Sequence, residues 1–280
     1  MKSNLLPLFV LSFLSTGCSL DGEYFDARKT SSYSLNFETA TTTVEEVSFE
    51  SNGRTIYGVL ATAPTALEAD STSVPTILYF HGDDKDIDKY VSRLDTLLGL
   101  GVNVFIFDFQ GYGKSEGSSS LSAIKQNSAD ALTYLKTRND KIDPDQIIYY
   151  GFSVGGIFAL YTATQVEMPI GMITESIPAS GDQSVRQNLK LGIPSSFMFD
   201  ESFDNIPALK SITSPILMFH GTDDETISYN DHARFTFNAP IENLRTTIPV
   251  EGAGHSTVIT TLGEAVYLQD ILEFFAANGI

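Results

Sequence analysis

The chain has little cysteine, no tryptophan and few basic residues. Of its 280 residues only Cys18 is a cysteine, which excludes an intramolecular disulfide and a cysteine-rich metal site. Lys and Arg together number 17 against 35 Asp and Glu, so the formal net charge is -18. A charge of this sign repels phosphate backbones at long range, and nucleic acid is therefore not an expected partner.

The common motifs of metal and nucleotide sites are missing as well. The sequence contains no H-E-x-x-H, and Asp83, Asp84, Asp86 and Asp88 lack the glycine and the terminal glutamate of a calcium loop. The glycine-rich stretch QGYGKSEG over 110–117 does not have the spacing of a P-loop. We expect neither a metal ion nor a cofactor.

The first eighteen residues combine the features of an export signal. Met1 and Lys2 precede the apolar segment LLPLFVLSFLS over 5–15, and the small residues of STGC lead to Cys18. The segment resembles a bacterial lipoprotein signal, which implies cleavage before Cys18, a lipid on its thiol and anchorage to a membrane of the cell envelope. Ser15 stands where such signals more often have leucine, so an ordinary secretory signal of a soluble exported protein stays open.

Composition divides the chain into a signal peptide over 1–18, a polar tether over 19–42 and one domain over 43–280. The tether is predicted from its polar, Ser- and Thr-rich composition. A transmembrane helix is not expected, because about 20 apolar residues are needed to span a bilayer. Length alone permits one domain or two, and no shift of composition within the domain marks a second one.

Strand-like apolar runs recur along the domain. A hairpin is predicted over 41–63, where two β-runs flank the turn signal Asn52-Gly53. The later runs are continuous rather than alternating, which is typical of strands buried on both faces of a parallel sheet. They cover 75–82, 103–110, 146–151, 170–175, 215–221 and 244–250.

Helical patterns lie between these runs, at 88–99, 121–138, 154–165, 181–191 and 261–277. Strand and helix alternate after an antiparallel opening hairpin. This order predicts an α/β fold with a mixed, mostly parallel, eight-stranded sheet that is covered by helices on both faces.

The stretch IIYYGFSVGGIFALYT over 147–162 places Ser153 between a strand pattern and a helix pattern. A serine hydroxyl is a poor nucleophile at neutral pH, so a hydrolase must expose it and place a base beside it. Gly151 and Gly155 complete a Gly-x-Ser-x-Gly motif, in which a Cβ at either glycine would collide with neighbouring chain at a sharp strand-to-helix turn. A serine N-cap after a glycine turn is the structural alternative.

Acidic and histidine residues follow in the order of a catalytic triad. Asp223 and Asp224 lie in the turn after the predicted strand over 215–221, and His255 lies in a glycine-rich loop after the next strand. The order Ser, acid, His is expected when a triad is mounted on successive strand ends of such a sheet. With Ser153 these residues indicate nucleophilic catalysis.

Five motifs in this order resemble the α/β-hydrolase superfamily, and in particular its small-lid serine hydrolases of the serine-aminopeptidase and dienelactone-hydrolase type. The resemblance extends over about 45–278. Its matching stretches are YFHGDD, FDFQGYGKSEG, GFSVGG, FHGTDDETI and GAGHS. It implies an α/β-hydrolase sheet with a minimal lid.

The resemblance implies a role for each matching residue. Ser153 corresponds to the nucleophile and His255 to the base. In the family's His-Gly-x-x-Asp turn the acid is the fourth residue after His, which gives Asp224; Asp223 is the second candidate and Glu225 the third. The acid would fix the tautomer of the base and stabilise its charged form.

The backbone N–H groups of Asp83 and Val154 match the family's oxyanion hole. An acidic side chain at position 83 departs from the family, in which small or neutral residues are more usual. Only the N–H is needed, but a carboxylate near a developing oxyanion would raise the barrier unless it pointed into water.

Aromatic residues in the short connection over 177–214, where this fold carries its lid, are candidates for an acyl pocket. They are Phe197, Phe199 and Phe203. The alternative is that they pack a helix onto the sheet.

The remaining histidines are expected to be structural or exposed. His81 and His220 each end a strand in a His-Gly pair and are expected to be satisfied structural residues. His232 is expected on the surface of a helix.

These motifs predict a serine hydrolase of the carboxylesterase type that cleaves a small-molecule ester through an acyl-enzyme. Thioester and amide substrates stay open, and so does an exopeptidase. A catalytically weak protein of this fold, which binds a ligand or a partner at the cell surface, is the alternative from another class, because a fold alone does not confer activity.

Overall fold

The structure is a computed structural model that describes residues 25–38, 43–63, 74–84, 86–189 and 201–280. The described residues form one eight-stranded sheet in the order β1-β2-β4-β3-β5-β6-β7-β8. β1, β2 and β4 pair antiparallel, and the other neighbours pair parallel. The predicted mixed, mostly parallel sheet is therefore confirmed. Its strands are β1 (Thr43–Ser51), β2 (Arg54–Thr62), β3 (Thr76–Phe80), β4 (Asn103–Phe107), β5 (Ile147–Phe152), β6 (Gly171–Glu175), β7 (Ile216–Gly221) and β8 (Arg245–Val250).

The opening hairpin forms around Asn52 and Gly53, as predicted. Their φ angles of 52° and 67° lie in the left-handed region, which a tight two-residue hairpin turn requires at both central positions. β1 and β2 pair from Ser51 opposite Arg54 outward. The turn sequence therefore determines the register of this edge of the sheet.

The helices of the described residues are α1 (Val91–Leu98), α2 (Leu121–Thr137), α3 (Gly155–Gln165), α4 (Gly181–Leu189), α5 (Asn205–Ser211), α6 (Arg234–Thr236), α7 (Val258–Leu262) and α8 (Glu264–Asn278). One helix is predicted over 261–277, but the structure has two there, because Gly263 with a φ of 82° separates α7 from α8. The sequence patterns do not predict α5 and α6. Within the described residues, no helix is both long and apolar enough to cross a membrane.

Two apolar clusters cover the two faces of the sheet. Leu78 and Phe80 of β3 belong to one cluster, with residues of α2 and α3. Ile77 and Tyr79 belong to the other, with residues of α1 and α8. Side chains alternate between faces along a strand, so each central strand is buried on both sides. This burial explains the continuous apolar runs of the sequence.

Residues 25–38, which belong to the predicted polar tether over 19–42, lie against the domain. Phe25 is buried in the cluster that contains α2 and α3. The N–H of Thr30 donates to the carbonyl oxygen of Gly113 at 3.1 Å. Tyr33 and Phe37 pack against the other cluster. These spaced apolar side chains attach the segment to the domain. The overall composition of the segment, which is dominated by polar residues, does not indicate such packing.

Candidate active site

The turn at Ser153 is strained and tightly packed. β5 ends at Phe152 and α3 begins at Gly155, and Ser153 between them has a φ of 52°. This value lies in the left-handed region, which side chains of L-residues rarely adopt. A Cβ on Gly155 would lie 2.1 Å from the carbonyl oxygen of Phe80, so only glycine fits. The Ser153 N–H donates to the carbonyl oxygen of Glu175 at 2.9 Å, which holds the turn against β6.

Ser153, His255 and Asp224 form one hydrogen-bonded chain at the carboxyl edge of the sheet. His255 Nε2 lies 2.9 Å from Ser153 Oγ, and His255 Nδ1 lies 2.8 Å from Asp224 Oδ2. Of the three candidate acids, the structure brings Asp224 to the histidine, whereas Asp223 and Glu225 are exposed. The residues come from three separate strand ends, as their order in the sequence indicates.

The Asp224 carboxylate is buried but well satisfied. Its Oδ1 accepts from the N–H groups of Thr226 and Ile227 at 2.9 and 2.8 Å. Burial alone would raise the pKa of Asp224, but hydrogen bonds from His220, from His255 and from the Ile227 N–H outweigh it and hold this pKa below its usual value. Asp224 is therefore ionised at neutral pH and able to keep the proton of His255 on Nδ1.

Two backbone N–H groups at the cleft that contains the nucleophile have no acceptor among the described residues. Val154 follows Ser153 directly, and Asp83 follows the His-Gly pair after β3. Both positions border a cleft of about 420 Å³ that contains Ser153 and His255. A free N–H pair beside a serine is what a developing oxyanion requires.

The Asp83 carboxylate accepts hydrogen bonds from two protein donors. Tyr112 Oη donates to Asp83 Oδ1, and the Asp26 N–H donates to the same oxygen at 2.9 Å. Both donors thus bond to the same oxygen of this carboxylate. Burial raises the pKa of Asp83 to about 6, and the charges of Asp26 and Asp84 act in the same direction.

Asp83→Asn should stabilise the protein increasingly as the pH rises. The folded-state pKa of about 6 lies above the ordinary value of 3.8, so the contribution of the acid to stability is complete below pH 3.8 and is lost as the pH rises through 6. Asparagine accepts the same two hydrogen bonds and buries no charge. We expect the Tm difference between variant and wild type to increase from pH 4 to pH 8 in thermal unfolding.

The matched control for this prediction is Asp145→Asn, which changes an exposed aspartate outside the cleft. Its Tm difference from wild type should stay constant over the same pH range. An Asp83→Asn difference that does not change with pH would contradict the burial of a charge at this position.

Two of the other histidines agree with the sequence prediction and one does not. His81 and His220 are buried, and their rings bond to main-chain groups. His232, expected on a helix surface, is fully buried: Nδ1 accepts from the Ala179 N–H at 2.9 Å, and Nε2 lies 2.9 Å from Gln187 Oε1. The short helical segment before α6 turns this side chain inward, and no local pattern indicates that.

The predicted acyl pocket is not found at Phe203. This side chain is buried and lines a different cavity of about 450 Å³, between α3 and α5. Phe197 and Phe199 lie outside the described residues. The apolar walls of the cleft that contains Ser153 include Tyr90, Phe152 and Ile227 instead. Phe152 is the first x of Gly-x-Ser-x-Gly, so the motif itself could have indicated it.

The sheet order, the strained serine turn and the positions of acid and histidine define the α/β-hydrolase fold. An esterase of Pyrococcus furiosus is similar with a TM-score of 0.69 at 18% identity, over 90% of this chain and 96% of that chain. An acylaminoacyl peptidase of Pyrococcus horikoshii has a TM-score of 0.67 at 14% identity, over 84% of this chain and 42% of that chain. The protein has the α/β-hydrolase fold.

Sequence comparison identifies more specific relatives than the structural comparison does. Residues 72–193 match the family model described as serine aminopeptidase, S33. Alpha/beta hydrolase domain-containing protein 17B of Xenopus laevis is 33% identical over 208 residues, 72% of this chain and 66% of that protein. Its human counterpart is 33% identical over 190 residues, 65% of this chain and 61% of that protein. The chain thus spans somewhat less than two thirds of these relatives, and the similarities support a hydrolase.

Proposed function

We propose that this protein is a serine hydrolase that cleaves carboxylic esters through an acyl-enzyme at Ser153. The observation that carries the proposal is the continuous chain from Ser153 through His255 to Asp224, with contacts of 2.9 and 2.8 Å. Nucleophile, base and orienting acid in this geometry are the arrangement that activates a serine hydroxyl.

Acylation would begin when Ser153 Oγ attacks the ester carbonyl carbon and His255 Nε2 takes the hydroxyl proton. Asp224 stabilises the resulting charged ring without taking a proton itself. The carbonyl oxygen becomes an oxyanion that accepts from the Asp83 and Val154 N–H groups. Collapse breaks the bond to the alcohol oxygen, and the alcohol leaves with the proton of His255.

Deacylation would repeat these steps with water. His255 takes a proton from a water molecule as its oxygen attacks the acyl carbon. The second tetrahedral intermediate uses the same two N–H groups. Its collapse releases the carboxylic acid and returns the proton to Ser153 Oγ, so the enzyme is regenerated.

An exopeptidase is the second candidate, and the match to the serine aminopeptidase model favours it. Such an enzyme needs a charged group to bind a substrate terminus. Asp26 and Asp84 border the cleft, but each is paired with a neighbouring cation, Arg28 at 3.0 Å and Lys89 at 3.2 Å. These pairs leave less free negative charge for an ammonium group, which supports the ester proposal over this one.

Turnover of 4-nitrophenyl esters of graded acyl length, compared with 4-nitroanilides of amino acids, tests the reaction class. We expect release of 4-nitrophenolate with a preference among acyl lengths, and slow or no release of 4-nitroaniline. Faster cleavage of the anilides would favour the exopeptidase. No turnover of either series would favour a catalytically weak protein that binds a ligand or partner.

For the location we propose a lipid anchor at Cys18 in the bacterial cell envelope, with a soluble exported protein as the alternative. Asp26, at the border of the cleft, lies eight positions after Cys18 in the sequence. Even a fully extended segment of this length reaches only about 28 Å. The anchor would thus hold the cleft near the membrane surface. Cys18→Ser should move the protein from the membrane fraction to the soluble fraction, and an unchanged distribution would contradict the anchor.

A further inference from the structure

An ion pair lies buried behind the candidate active site. Arg93 of α1 and Glu175 at the end of β6 have side chains that are 11% and 0% exposed. Arg93 Nη1 lies 2.9 Å from both carboxylate oxygens of Glu175. Burying two charges costs desolvation free energy, and the attraction between the charges often does no more than offset this cost. A buried ion pair is therefore weak evidence for a role in stability. Its other contacts indicate a different role.

The Arg93 guanidinium contacts residues adjacent to both the base and the nucleophile. Nη2 donates to the carbonyl oxygen of Ser256, which follows the base, at 3.1 Å. The guanidinium carbon lies 4.2 Å from the ring centroid of Phe152, which precedes the nucleophile. The centroid of the Phe152 ring also lies 5.4 Å from that of the His255 ring. One cation thus connects the loop after β8 with the turn after β5.

Glu175 adds a second connection to the nucleophile. Its main-chain oxygen accepts from the Ser153 N–H at 2.9 Å, while its side chain pairs with Arg93. Tyr150 donates to Glu175 Oε2 at 2.6 Å, and the Tyr150 and Tyr267 hydroxyls lie 2.6 Å apart. Burial holds the pKa of both tyrosines well above the usual value, so they remain neutral donors. The carboxylate is therefore fixed from β5 and α8.

We propose that Arg93 is a positioning residue of the active site, which holds the loop that carries His255 at hydrogen-bond distance from Ser153. The inference rests on the proposed function, because it assigns Arg93 to the reaction of that same site. Arg93 does not contact the reacting atoms; it acts through Ser256 and Phe152.

Arginine is required for this role because its guanidinium is a planar fork. One nitrogen bonds the Glu175 carboxylate while the other donates to the carbonyl oxygen of Ser256, and the guanidinium carbon lies over the Phe152 ring. Lysine carries the same charge as a single point at the end of a flexible stem. Arg93→Lys should therefore keep the pairing with Glu175 and lose the link to Ser256.

The test compares Arg93→Lys with Arg138→Lys, which changes an ion-paired arginine outside the cleft. Arg138 pairs with Glu45 at 2.8 Å and has a side chain that is 14% exposed, close to the 11% of Arg93, although Glu45 is far more exposed than Glu175. We expect Arg93→Lys to lower kcat for a 4-nitrophenyl ester about tenfold or more, with KM within about twofold. Its rate of phosphonylation by an alkyl fluorophosphonate should fall in parallel. Arg138→Lys should leave all three quantities unchanged.

Each outcome separates this inference from the proposed function. A wild-type protein that neither turns over esters nor reacts with the fluorophosphonate refutes the function and with it the inference. A reactive wild type and an equally reactive, folded Arg93→Lys overturn the inference alone. Equal losses in Arg93→Lys and Arg138→Lys overturn it too, because any lost ion pair would then have the same effect.

A double variant covers the case in which Arg93→Lys does not fold. Arg93→Met with Glu175→Gln removes both charges, so that no lone charge stays buried. We expect this protein to fold and to show the reduced kcat. Wild-type kcat in the folded double variant, or failure of both variants to fold, overturns the positioning role.

Discussion

Ser153→Ala should lower kcat/KM for a 4-nitrophenyl ester by about 10⁴-fold or more, the size of effect that removal of a triad member has in other serine hydrolases. Alanine has no oxygen to attack the ester carbon, so no acyl-enzyme forms. The Asp83 and Val154 N–H groups remain, and we expect them to leave only a small residual rate. Steady-state kinetics on purified wild type and variant measure the ratio.

Ser128→Ala is the matched control for this loss. Ser128 is also a buried serine, but it lies on α2 and bonds to the carbonyl oxygen of Ile124. We expect its kcat/KM to equal that of the wild type. Comparable ester turnover by Ser153→Ala and wild type would show that another residue carries the reaction.

Gly155→Ala should destabilise the whole domain. The added Cβ would lie 2.1 Å from the carbonyl oxygen of Phe80 and 2.5 Å from that of His81. Both are backbone atoms at the end of β3 and cannot turn aside as a side chain can. Overpacking of this kind costs about 3 kcal/mol or more, which corresponds to a Tm lower by about 6–12 °C for a domain of this size.

Gly171→Ala is the control for that variant. Its added Cβ would lie 2.5 Å from Cδ1 of Ile280, the flexible end of a side chain that can move away. We therefore expect a much smaller decrease in Tm. Equal decreases in the two variants, or a Gly155→Ala protein with wild-type Tm, would contradict the close packing of the serine turn against β3.

The elements that sequence predicts well are those with a local cause. β3 and β4 are five-residue strands buried at every position, and such burial produces a continuous apolar run. The hairpin at Asn52 follows from the φ angles that its two-residue turn requires. The serine turn is visible because its glycines must lie close to Ser153 in the sequence. The positions of Asp224 and His255 could be predicted because each residue lies in the turn or loop that directly follows a predicted strand.

The features that sequence misses depend on contacts between distant parts of the chain. Asp26 and Asp83 are 57 positions apart, and their hydrogen bond exists only because residues 25–38 fold back onto the domain. Arg93 and Ser256 are 163 positions apart. Neither hydrophobic periodicity nor a short motif indicates hydrogen bonds between residues so far apart in the sequence.

The same reasoning explains the two side-chain predictions that the structure does not follow, those for Phe203 and His232. Phe203 is an aromatic residue of the kind that lines acyl pockets, but in the structure it lines a cavity between α3 and α5. His232, expected on the surface of a helix, is buried, and its Nδ1 accepts from the Ala179 N–H. In both cases tertiary packing determines where a side chain points.

Mass spectrometry after reaction with an alkyl fluorophosphonate tests most directly whether Ser153 is an activated nucleophile. Such a reagent forms a stable bond to the oxygen of an activated serine. We predict one adduct per chain, on the peptide that contains Ser153, and no adduct in Ser153→Ala. Ester turnover by a wild-type protein that carries no adduct at Ser153, or an adduct at another residue, would contradict the assignment.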